Sequence, residues 1–195
     1  MTVKPGPSQG LQPWHLPAMR AVPALVVGLP LPFVQLHSPL VALIALAVLL
    51  GGTAAALWLG REVVPTVAGR WPVPAAAWSA LLAIVAAVLA AVAPTETAVG
   101  LAVAAWALPT GVLELLGWWR MRSVADARAL RTARDWRAVA VLTLVLGGVF
   151  AFARDAVTLT GLIGAYAVIV GIYHALAALS ARPARATPEP ERSDA

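Results

Sequence analysis

The stretch TAVGLAVAAWALPTGVLELLGWWRMR, residues 97–122, decides the fold. From Thr97 to Trp119 it carries a single charged residue, Glu114, and it exceeds the roughly 20 apolar residues that a membrane span requires. It closes on Trp118 and Trp119 and then on Arg120 and Arg122. That is the order in which a helix leaves lipid through an interfacial aromatic belt into a basic cytoplasmic loop. Five other stretches approach or meet the same length, so spans are expected at about 21–36, 40–59, 75–93, 97–119, 138–153 and 156–179. The expected fold class is all-α: a polytopic membrane protein of six transmembrane helices.

Composition agrees. The chain of 195 residues is 61% hydrophobic and 12% charged, against about 45–50% and about 25% in average soluble domains. The net charge of +5 is not gathered on a face, as nucleic-acid binding would need, but falls between apolar blocks. Cysteine is absent, which removes disulfides, thiol nucleophiles and thiolate metal sites. The first apolar stretch carries Pro23, Pro30 and Pro32 and no small-x-small cleavage signature follows it, so it reads as a retained anchor.

The connections alternate. His37-Ser38-Pro39, Pro94-Thr95-Glu96 and Arg154-Asp155 are tight turns that hold one basic residue, Arg154, whereas the opposite side holds the other thirteen. The positive-inside rule makes the basic side cytoplasmic, with both termini there. Trp58, Trp71, Trp118, Trp119 and Trp136 lie at that same boundary. Residues 1–17 and 183–195 are rich in Pro, Gly, Ser and charge and read as disordered cytoplasmic tails around a transmembrane domain at 18–182. The loop 120–137 alternates Arg with Ala, Val and Leu. It reads as a basic topology determinant, or as a short helix lying on anionic lipid.

A repeat runs through the chain. With Gly111 placed over Gly171, spans 4 and 6 align without a gap: Gly100, Ala104 and Ala107 fall on Thr160, Gly164 and Ala167, Glu114 on His174, and Arg122 on Arg182. Span 2 joins more loosely through Gly51 or Gly52, which gives three repeated helical hairpins. The small residues form a helix-packing seam on one face of each helix, as close packing in lipid requires, where little hydrophobic force acts between helices.

Glu114 continues that seam, so it is expected inside the bundle, where a charge is costly unless neutralised or paired. His174 shares its depth and seam position on span 6. The two form a candidate pH-sensitive pair, set against a structural hydrogen bond that fixes helix register. Pro109 is a candidate kink one turn earlier; it removes a donor and frees the carbonyl of Ala105. Asp155 and Glu96 are expected to cap the starts of spans 6 and 4. His15, His37 and His174 lie at different depths, with no paired carboxylate near any of them, so neither metal nor haem is expected. No phosphate loop, dinucleotide fingerprint, nucleophile elbow or metalloprotease helix is present, and no enzyme or cofactor is expected.

The run from Trp106 to Arg122, Trp136 opening span 5, and Gly161-Leu-Ile-Gly-Ala-Tyr-Ala-Val-Ile-Val-Gly-Ile-Tyr-His174 together resemble the HdeD acid-resistance family of short-repeat membrane proteins. The resemblance covers residues 18–182. It departs from the family's pattern at the prolines of span 1, at Pro109, and at Arg154-Asp155. It implies a non-enzymatic inner-membrane protein that contributes to acid or envelope stress tolerance. The alternatives are a small transporter or channel subunit, and a scaffold or assembly protein. The expected partners are the lipid bilayer, with anionic lipid at the basic loop, and a homo-oligomer is left open; nucleic acid is not expected.

Overall fold

A computed structural model describes residues 10–123 and 127–182, with side chains not described at 127–132. Six α-helices follow one another: α1 (His15–Gly28), α2 (Pro39–Leu59), α3 (Pro72–Val92), α4 (Glu96–Met121), α5 (Ala127–Phe150) and α6 (Ala156–Ala181). No strand occurs among the described residues. Five of the helices are long and apolar enough to cross a membrane, α1 reaching that length with the short turn that ends at Phe33. In α5, Arg134, Asp135 and Arg137 interrupt the apolar run.

Local chemistry sets the boundaries. Ser38 Oγ accepts from the backbone N–H of Val41 (3.3 Å) and Pro39 opens α2, where its missing donor costs nothing. Thr95 Oγ1 accepts from Ala98 N (3.2 Å) at the start of α4, and Asp155 Oδ1 from Thr158 N (2.8 Å) at the start of α6. Asp155 is therefore the expected cap, while at α4 the role falls to Thr95 and Glu96 is the first residue inside the helix. The N–H groups of that first turn hold the exposed Asp155 carboxyl below the usual carboxylate range.

Two expected boundaries shift. The helix at the first expected span begins at His15 rather than 21, so Arg20 lies inside a helix, and that helix stops at Gly28 because Pro30 and Pro32 cannot continue it. The expected tail to residue 17 is correspondingly shorter; residues 1–9 and 183–195 lie outside the described residues. From Ala127 onward the loop 120–137 is the first part of α5. That helix persists because Ala133 and Trp136 are buried there, Trp136 edge-on to Trp71 with centroids 5.3 Å apart.

The most extensive packing joins α2 to α3, α4 to α5, and α6 to α1. The pairs linked by tight turns, α1–α2, α3–α4 and α5–α6, pack less closely. The helices α2, α4 and α6 also meet one another and so form the inside of the bundle. Two features recur at one interval: α4 and α6 begin and end sixty residues apart, and so do their caps, Thr95 and Asp155. At the same interval, Leu43, Val103 and Ile163 are all buried, as are Leu46, Trp106 and Tyr166, and Leu50, Thr110 and Val170.

The seams face neighbouring helices. A methyl added to Gly111 would lie 2.7 Å from Leu144 Cγ of α5, and one on Gly100 2.9 Å from the Phe150 carbonyl. On Gly171 it would lie 2.8 Å from Leu25 Cγ of α1. Ala104, Ala107 and Ala167 are buried along the same two helices, and Gly164 backs onto Leu31.

Candidate functional site: a buried ion pair between two apolar clusters

One turn of α1 separates Leu16 from Arg20, and another separates Arg20 from Ala24. Leu16 belongs to an apolar cluster with Leu57, Trp71, Met121 and Trp136, at the end where the arginines gather. Ala24 belongs to a larger cluster with Leu50, Val103, Trp106 and Val170. Arg20 lies between them and is only 6% exposed. On α4, Trp106 and Met121 belong to the same two clusters and stand on either side of Glu114, which is 0% exposed. Arg20 Nη2 donates to Glu114 Oε1, an ion pair joining residues far apart in sequence. Apolar surroundings strengthen such a pair, and they make either partner costly when alone.

Glu114 and His174 are both inside the bundle, as the seam argument expects, but no hydrogen bond joins them. The partner of Glu114 is Arg20. His174 is 5% exposed and lies near enough to Arg20 for the guanidinium charge to act on it. Four buried polar atoms have no partner among the described residues: Trp71 Nε1 in the cluster at the basic end, and, nearer the pair, Glu114 Oε2, His174 Nε2, and Oγ1 of Thr110, one turn from Glu114 on α4. The site is thus an arginine, a carboxylate and an imidazole, with unused hydrogen-bonding capacity on the last two.

The neighbouring polar groups are satisfied. Thr143 Oγ1 donates to the Val139 carbonyl (2.8 Å), which leaves Tyr166 Oη to donate to Thr143 Oγ1 at 2.9 Å. Trp106 stands edge-on to Tyr166 and its Nε1 donates to Ser79 Oγ at 3.1 Å. The carbonyl of Ala105, freed by Pro109, accepts from Trp78 Nε1 of α3 at 2.9 Å. That hydrogen bond satisfies the one group through which Pro109 could have held a ligand. Nearer the basic end, Tyr173 Oη donates to Asp135 Oδ1 at 3.0 Å and ties α6 to α5. His15 begins α1 and shares hydrogen bonds with Gln12, while His37 lies in the turn before α2.

Reading the sequence missed Arg20, which looked like a basic residue outside the first span. The signal was present: Leu16, Ala24 and Val27 share its helical face, and a buried Glu114 requires a counter-charge.

These features define a class, an all-helical bundle with helices suited to a membrane and an ion pair sealed in its interior. Neither a protein family, nor a characterised protein, nor a solved structure matches this chain.

Proposed function

We propose that the chain is a six-span protein of a bacterial inner membrane, with both termini in the cytoplasm, that contributes without catalysis to tolerance of acid or envelope stress. Its proton-responsive element is the layer of Arg20, Glu114 and His174. The observation that carries this reading is a buried ion pair between two apolar clusters, with the imidazole of His174 buried within range of its charge. A proton taken up by His174 places a second cation beside Arg20 and a second claimant on Glu114. The balance among α1, α4 and α6 then shifts through one charge. Closure by apolar clusters favours such a packing-based response over a conducting path, which would need a polar lining.

Membrane insertion is supported by the outward apolar residues of α3 and α5, such as Ile84, Val88, Val141 and Val145. The recurrence at sixty residues supports three hairpins of one design. In that arrangement the even-numbered helix of each hairpin packs on the odd-numbered helix of the next, and α6 returns to α1 to close the ring.

The test is survival and cytoplasmic pH during external acid shock in cells lacking the protein, complemented with wild type, Glu114→Gln or His174→Gln. Wild type is expected to restore both, and the variants, at equal membrane abundance, to fail. His174→Gln leaves the ion pair in place, so it isolates the proton-responsive part. A deletion strain without an acid phenotype would overturn the stress role.

A further inference from the structure

We propose that Arg122, just beyond α4, and Arg137, within α5, form on the indoles of Trp119 and Trp118 a binding site for an anionic phospholipid headgroup. The proposal rests on the membrane placement above and narrows it to particular side chains. Arg122 lies over Trp119 with its guanidinium carbon 3.4 Å from the ring centroid, and Arg137, from α5, lies over Trp118 at 5.5 Å. The two indoles are edge-to-face, with centroids 6.1 Å apart, so both arginines are mounted on one aromatic platform.

Stacking occupies the face of a guanidinium and leaves its N–H edge free. That edge is the part that pairs in bidentate fashion with a phosphate. Among the described residues neither arginine has a carboxylate partner, and the nearby Asp135 is engaged by Tyr173. Both arginines are exposed, and Trp119 is 54% exposed. An exposed and a half-buried indole at the end of an apolar helix suit the interfacial zone of a bilayer, where a phosphate would stand over the arginines while the lipid's acyl chains run along Val112 and Leu116 of α4. Lipid is therefore the occupant that satisfies the charge and the apolar surface together.

The full chain in neutral detergent, titrated with short-chain phosphatidylglycerol, is expected to bind with a change in tryptophan fluorescence and a rise in thermal midpoint. Phosphatidylcholine and inorganic phosphate should each be much weaker. Removing one arginine, as Arg122→Gln or Arg137→Gln, should weaken phosphatidylglycerol binding about fivefold, and removing both about thirtyfold. Arg122→Lys with Arg137→Lys keeps the charges and loses the forks, so an intermediate loss is expected; this pair also serves if the glutamine variant does not fold.

Unchanged affinity in the doubly substituted proteins would overturn the site. Equal binding of inorganic phosphate would overturn the choice of lipid, and equal binding of phosphatidylcholine the role of charge. Recovery of the protein in the soluble fraction without detergent would instead sink the membrane placement itself.

Discussion

Glu114→Ala lowers the stability of the bundle by about 3–5 kcal/mol, the range for breaking a buried ion pair from one side. The cost is not chiefly the lost attraction. Arg20 remains between Leu16 and Ala24 with 6% of its surface exposed, and no other carboxylate contacts it among the described residues. A guanidinium can neither lose its proton nor reach solvent from there without disturbing α1. The combined variant Arg20→Met with Glu114→Leu removes both charges and fills their volume, and it should unfold near the wild-type midpoint or above it. Unfolding in detergent micelles, followed by circular dichroism, compares the three. If Glu114→Ala proved as mild as the double variant, Arg20 would have to have another partner or a route to water.

Gly28→Leu is the second large effect, and it acts through shape alone. At the end of α1 the backbone meets α6 so closely that a methyl on Gly28 would lie 2.6 Å from the Val168 nitrogen and 2.9 Å from the Ala167 carbonyl carbon. Backbone cannot rotate aside as a side chain can. Even Gly28→Ala must therefore push the helices apart, with the roughly 1–3 kcal/mol typical of overpacking, and leucine costs more. Gly161 of α6 provides the contrast, because a methyl there meets nothing within 4 Å. Gly161→Ala should be neutral or stabilising, by up to about 1 kcal/mol, since alanine is the better helix former. Equal thermal midpoints for Gly28→Leu and wild type would contradict the close approach of α1 to α6.

How far such features can be read from a sequence depends on the range of the force involved. Hydropathy is local, and all six helices were legible as apolar stretches; α4 and α6 moved by three residues or fewer at either end. The seam through Gly100, Gly111, Gly164 and Gly171 was legible because small residues recur on one helical face. Its partners, α5 and α1, were not, since nothing local says which helix will approach.

Arg20 and the start of α5 were misread for a common reason. A charge lowers hydropathy wherever it lies, but a buried counter-ion or a tryptophan in a distant helix decides whether the helix continues through it. Arg20 has Glu114, and the first turns of α5 have the contact of Trp136 with Trp71. Glu114 and His174 were found from depth and face, whereas their failure to pair is a matter of tertiary geometry. Gly28 lay outside the seam pattern and had no signal beyond its place before Pro30.

Everything proposed here depends on the bundle lying in a membrane with its arginine-rich end inside the cell. The chain contains no cysteine, so single cysteines can be introduced at His37, Pro94 and Arg154 on one side, and at Arg61, Arg122 and Arg182 on the other. Labelling with a membrane-impermeant maleimide should reach the first three in intact cells and the second three only after the inner membrane is opened. Labelling of Arg61, Arg122 and Arg182 positions in intact cells, or of all six alike in a soluble fraction, would contradict the account.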